Sequence, residues 1–234
     1  MIWKAFRVKL FICYSVIFLL CIILVHAGSN AVTTWIENSP VHRDTCIAID
    51  AGHGGIDGGA VSISGTPESE INLQISQRLN DLFHLLGYRT VMLRNTDTSL
   101  HTEGNSISAQ KVSDLKHRVQ MITEQNATLL ISIHQNTFSN KRYSGAQVFY
   151  HSDEKSLSLA SALQNNFIQT LNPSSKRKPK AAQGIYLMEH ISCPGILIEC
   201  GFLTNAQEEA RLKSADYQKQ LCCVIAATVS STQN

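Results

Sequence analysis

The chain has 234 residues, 44 % of them apolar and 16 % charged, which allows one medium domain with a sizeable core plus an extra segment. A formal net charge of +2 offers no polyanion-binding surface, so nucleic acid is excluded as a partner. Of the seven cysteines, Cys13 and Cys21 fall in an apolar N-terminal run, and the spacing of Cys46, Cys193, Cys200, Cys222 and Cys223 fits neither a disulfide framework nor a zinc ribbon.

Residues Met1–Lys9 carry Lys4, Arg7 and Lys9, and Leu10–Val25 then runs without a charge. This pattern marks residues 1–27 as a secretory signal peptide or a single membrane anchor, and Val25-His26-Ala27 resembles a signal-peptidase site. The basic flank stays cytoplasmic, so everything after it is exported, and the membrane is met only through this segment. Residues 28–44, polar and containing Pro40, form a linker, and one globular domain covers 45–231.

Within that domain CIAID (Cys46–Asp50) is a short strand, followed by a glycine-rich loop. A helix starts near Pro67, with Ile71, Ile75, Leu79, Leu82 and Leu86 at helical spacing, and ends at Gly87. YRTVML (Tyr88–Leu93) is a second strand, and the polar stretch Arg94–Gln110 a surface loop. An amphipathic helix then covers about Lys111–Gln125. TLLISIH is apolar enough for a central strand buried on both faces. AQVFY, GIYLM (Gly184–Met188) and ILIE (Ile196–Glu199) read as further strands, and Ser156–Leu171, Ala206–Leu212 and Tyr217–Val229 as helices. This alternation predicts an α/β fold, a mainly parallel, mixed central sheet with helices on both faces. The basic run Ser174–Lys180 reads as a solvated loop that is also able to attract an anionic polymer such as bacterial wall.

Three apolar runs break off at His53, His134 and Glu199. Functional groups collect just beyond the carboxyl ends of parallel strands, so these three share one rim. Two histidines and a carboxylate suit a zinc hydrolase, which needs three protein ligands, an open position for water, and a carboxylate to move the proton. By position Glu68 and Glu70, at the start of the first helix, are both candidates for the third ligand, with Glu199 left as acid/base. Cys200, beside Glu199, is a candidate thiol nucleophile, but nothing near it lowers its pKa and a strand cysteine is ordinary packing. His84, His101, His117, His151 and His190 lack mutual spacing and read as surface residues.

Together DAGHGGIDGGA, ESEINL, LLISIHQN and ILIECGFLTN resemble the zinc-dependent N-acetylmuramoyl-L-alanine amidases of the type 3 family, in register from about Cys46 to Val229. The resemblance implies hydrolysis of the amide between N-acetylmuramic acid and L-alanine in peptidoglycan. It implies one zinc ion on His53, Glu68 and His134, with Glu199 as catalytic acid/base, and so chooses Glu68 over Glu70. Arg94, Asp97 and Arg118 fall on recurrent family positions and take supporting roles. Ala51 and Gln135 depart from the usual pattern without removing a ligand.

SGAQVFY and GIYLM, with one apolar N-terminal segment and no wall-binding repeats, carry a narrower resemblance to the sporulation branch of the family. That branch implies removal of peptide stems from spore cortex, the first step toward the muramic-δ-lactam needed for germination. It places the enzyme outside the cytoplasm, in the forespore intermembrane or cortex space. It implies a separate deacetylase acting in sequence, and an accessory protein aiding zinc binding or localisation. The competing readings are an enzyme of general wall turnover, a zinc peptidase acting on stem peptides, and a peptidoglycan-binding scaffold without turnover.

Overall fold

The computed structural model describes residues 45–232; the N-terminal segment 1–27 and the linker 28–44 lie outside the described residues. Among the described residues six strands form one sheet: β1 (Cys46–Ala51), β2 (Arg89–Met92), β3 (Leu129–Asn136), β4 (Gln147–Tyr150), β5 (Lys180–Ala181) and β6 (Gly195–Phe202). Their spatial order is β2-β1-β3-β6-β4-β5, parallel throughout except where β4 runs against β6. The expected mixed, mainly parallel α/β sheet is therefore present. One rim gathers the carboxyl ends of β1, β3 and β6 and the amino ends of β4 and β5.

The central strands are apolar on both faces because both are covered. Alternation sends Ile47, Ile49, Ile131, Ile133, Ile196 and Ile198 to one side. There they meet three helices, α1 (Glu68–Leu85), α3 (Glu154–Thr170) and α6 (Ala215–Thr232). Ala48, Leu130 and Leu197 face the other side, packed by α2 (Ile107–Glu124) and α4 (Tyr186–His190). A short α5 (Ala206–Leu212) follows β6. Among the described residues no helix is long and apolar enough to cross a membrane.

The structure corrects three details. In α1 the inward row is Ile71, Ile75, Leu79 and Phe83, while Leu82 is half-buried and Leu86 is 42 % exposed. Phe83 takes the last place because its ring meets Tyr88 edge-on at 5.3 Å, bracing the turn into β2. Helix α2 starts four residues before Lys111, since the Ser106 hydroxyl caps it by accepting from Ala109 N–H.

GIYLM is not a strand. Gly184, at φ +73°, turns the chain, and the next residues wind into α4. The Glu189 carboxylate accepts the Gly184 N–H at 2.6 Å, and the Tyr186 and His190 rings stack one turn apart at 3.9 Å. A five-residue apolar run has too little length for its period to separate strand from helix. The sheet edge beside β4 is taken instead by Lys180–Ala181.

Phe83→Ala is expected to cost about 3–5 kcal/mol in urea unfolding, the usual penalty for emptying a core aromatic site. Leu86→Ala is expected to change stability by about 0.5 kcal/mol or less, as at other surface positions.

Candidate metal centre

At the end of β1 the chain leaves the sheet through Gly52-His53-Gly54-Gly55, and His53 sits at φ +62°, uncommon for a residue with a side chain. Close approach decides the glycines here. A Cβ on Gly52 would lie 2.2 Å from the His134 ring, and one on Gly59 would lie 2.7 Å from both Glu68 Oε2 and the His53 ring.

Two buried arginines hold this loop. Arg94 donates to the carbonyls of Ala51 (2.7 Å), Gly52 (3.0 Å) and Ser69 (2.9 Å). Arg118 donates to the His53 carbonyl (2.9 Å) and pairs with Asp50 and Asp114. The Ser132 hydroxyl on β3 donates to the other Asp50 oxygen at 2.6 Å. Asp97 accepts the Gly55 N–H at 3.1 Å. The residues expected in supporting positions, Arg94, Asp97 and Arg118, thus all touch the segment around His53.

Glu68, the first residue of α1, is buried between the two histidines. Its Oε1 lies 3.0 Å from His134 Nδ1 and accepts from Gln135 N–H (3.0 Å) and the Asn72 amide (3.2 Å). Its Oε2 accepts Ala60 N–H (3.0 Å) and lies 3.4 Å from His53 Nε2. Burial alone would raise its pKa, but His134 and His53 outweigh that and hold the carboxyl far below its usual range. Burial likewise disfavours the charged form of His53, yet Glu68 and Asp57 raise its pKa to about 9.

One donor atom each from His53, Glu68 and His134 lie within 4.8 Å of one another, a set able to hold a divalent metal ion. Glu70 is exposed and bonds the Gln74 amide at 3.2 Å, away from this cluster. None of the other five histidines in the described domain joins it. His84 and His190 are exposed as expected, whereas His101, His117 and His151 are half-buried and held by local hydrogen bonds.

Glu199 stands opposite His134 in the β3–β6 register and lines the cavity that His53 and His134 open into. The cavity is about 330 Å³, with Lys111, Leu115, Tyr186 and Leu187 on its walls. Glu199 Oε2 is buried and has no hydrogen-bond partner among the described residues. Desolvation, reinforced by the Glu68 charge and opposed by the histidines, raises the Glu199 pKa to about 7. Such a carboxyl can take a proton and return it near neutral pH. Cys200 points the other way, into the core, where burial pushes its thiol pKa well up. That removes the thiol nucleophile from consideration.

Several contributors went unnoticed in the sequence. Asp57 Oδ2 lies 2.9 Å from His53 Nδ1, and its Oδ1 pairs with Lys111 at 2.9 Å. Its spacing, four residues after His53, was visible, as was that of Asn72, one helical turn after Glu68. Asp50 carried no local signal beyond being a carboxylate in an apolar strand.

Residues 47–231 match the family model described as N-acetylmuramoyl-L-alanine amidase. The germination-specific N-acetylmuramoyl-L-alanine amidase of Bacillus subtilis (strain 168) is 38 % identical over 181 residues, 76 % of each chain. Among solved structures, the CwlD amidase from Clostridioides difficile, in complex with the GerS lipoprotein, superposes with a TM-score of 0.77 at 34 % identity, covering 81 % of this chain and 98 % of that one. The amidase AmiC2 of Nostoc punctiforme gives 0.68 at 28 % identity, covering 81 % and 98 %.

Asp50→Asn tests the frame beneath the site. Burial opposes the Asp50 charge, but Arg118, with His134 and Ser132, lowers its pKa below the ordinary value. The unfolded value is about 3.9, so this stabilisation is complete above that pH and is lost as pH falls toward the lower folded value. Breaking the buried pair is expected to cost about 3–5 kcal/mol at pH 7. Unfolding curves of variant and parent should converge below about pH 4; curves that stay parallel would contradict this account.

Proposed function

This chain belongs to the N-acetylmuramoyl-L-alanine amidase family, enzymes of peptidoglycan, and on that premise we propose that it works with one zinc ion held by His53, Glu68 and His134. The bond cleaved joins the lactyl group of N-acetylmuramic acid to L-alanine. One observation carries the reading: two imidazoles and a carboxylate converge on one rim, and Glu199, a buried carboxyl with one oxygen unpartnered among the described residues, lines the same cavity. This donor set fits zinc, which supplies Lewis acidity at the scissile carbonyl and brings bound water to a pKa of roughly 7.

The protein groups then divide the work. Glu68 stays ionised, because five hydrogen-bonding or charged neighbours favour its carboxylate. Asp57 fixes the His53 ring through Nδ1, leaving Nε2 turned toward Glu68. Glu199 accepts a proton from the attacking water and delivers it to the departing L-alanine nitrogen, a role its pKa near 7 suits. The apolar wall of Leu115 and Leu187 narrows access of water around the reacting amide.

The biological setting we propose is the spore. The enzyme, exported behind its N-terminal segment, strips stems from cortex peptidoglycan, a separate deacetylase acts in sequence, and muramic-δ-lactam results. Similarity to a germination-specific amidase supports this role. Similarity to an amidase solved with a lipoprotein supports an accessory protein that aids zinc binding or localisation.

His134→Ala is expected to lose both zinc, read by metal analysis, and release of peptides, read by mass spectrometry of muropeptides. Glu199→Gln is expected to keep zinc and lose about 10²–10⁴ in rate, and Glu70→Ala to keep both. Equal zinc loss in the His134 and Glu199 variants would sink the division of roles. Products lacking a free L-alanine amine would exclude the amidase.

A further inference from the structure

The loop from β3 to β4 and the loop from α3 to β5 meet on the rim that carries the metal centre. Arg177 clamps them, donating to the Ser144 carbonyl at 3.2 Å, while the Gln147 amide donates to the Lys178 carbonyl at 2.7 Å. Arg177 also lies over Phe202 at 4.9 Å and Tyr143 at 5.9 Å. Phe202 is on β6, three residues beyond Glu199. Tyr143 in turn meets Phe138 at 4.6 Å, and the two rings are 45 % and 48 % exposed.

Around this aromatic platform the two loops present Lys141, Arg142, Lys176 and Lys178, all exposed. None of these four forms an ion pair among the described residues. Glu208, beneath the face, is buried and accepts from Gly145 N–H and Phe202 N–H, each at 2.9 Å. Four cations in one place exceed the formal net charge of +2 of the whole chain. The sequence alone showed only the Ser174–Lys180 run; the fold adds Lys141, Arg142 and the rings.

We propose that this basic, aromatic-floored patch is a second binding site for the polymer, taking carboxylate-bearing peptide stems beyond the one being cleaved. The inference rests on the amidase reading for its substrate. Guanidinium and ammonium groups bind carboxylates with charge-assisted hydrogen bonds. Exposed rings offer flat faces to sugars and to the apolar parts of a stem. Placed on the same rim as Glu199, the patch holds the polymer against the site through successive cleavages and raises the local concentration of stems.

The test uses the full chain in detergent, carrying Glu199→Gln so that the polymer stays intact, and co-sedimentation with peptidoglycan sacculi stripped of phosphate polymers. Replacing Lys141, Arg142, Lys176 and Lys178 with alanine together should weaken binding about tenfold and flatten its dependence on salt. Lys219→Ala, on the distant α6, should change nothing. As a check independent of folding, sacculi whose carboxyl groups have been amidated should bind the Glu199→Gln chain with all four cations present as weakly as untreated sacculi bind the quadruple variant. In the active chain the quadruple change should raise KM on sacculi while leaving kcat on a small soluble muramoyl-peptide unchanged.

Undiminished binding by the quadruple variant, or equal binding to amidated and untreated sacculi, would overturn the proposal. Binding seen only when phosphate polymers are left in place would overturn it too, assigning the patch to those polymers. Sedimentation needs no turnover, so failure of this patch and failure of the amidase reading give different results.

Discussion

The Glu68 carboxylate, buried between two histidines, is the interaction on which the rest of the site depends. Its two oxygens receive hydrogen bonds from three parts of the chain: Ala60 in the loop after β1, Asn72 on α1, and Gln135 on β3. The same oxygens lie within 3.4 Å of His53 and 3.0 Å of His134. An ionised carboxylate is costly to bury without such partners. Satisfying it therefore fixes the loop, the helix start and the strand end relative to one another. Its geometry and its charge are set by one network, and that network leaves Glu199 as the group whose environment disfavours ionisation. Two carboxylates of one site so acquire opposite chemical characters, one held well below the usual carboxylate range and one raised to about 7.

A second constraint follows from the loop that carries His53. Gly52 N–H makes the last bond to β3, at 3.0 Å, and the chain then leaves the sheet with the carbonyls of Ala51, Gly52 and His53 still needing donors, of which Asn72 supplies one, to Gly52 at 3.1 Å. Arg94 and Arg118 supply the missing donors. Arg118 is itself held by Asp50 and Asp114, and Asp50 by Ser132. The positive φ of His53 persists because these contacts over-determine it. Under the candidate metal site lies a polar frame of Asp50, Arg118 and Ser132, set into a sheet whose core is otherwise mostly apolar.

Much of this was legible in the sequence because apolar runs that stop at a histidine or glutamate report both a strand and its functional end. His53, His134 and Glu199 share a rim for that reason. The choice of Glu68 over Glu70 was open by position, since both lie in the first helical turn; burial on the side facing β3 separates them. Phe83 displaced Leu86 through its contact with Tyr88, a tertiary effect that spacing does not encode. GIYLM failed as a strand because five apolar residues carry no period, and the deciding contacts came from Gly184, Glu189 and His190. Asp50 was missed because its partners Arg118 and Ser132 are distant in sequence, whereas Asp57 lies four residues from His53, a spacing that alone does not tell a partner from an ordinary loop carboxylate.

The most direct test of the account is anomalous diffraction at the zinc edge from crystals of the zinc-loaded protein. The account requires a single strong peak bonded by His53, Glu68 and His134, with Glu199 facing it but not bonded to the metal. A peak elsewhere, or one in which Glu199 replaces Glu68 as ligand, would contradict it.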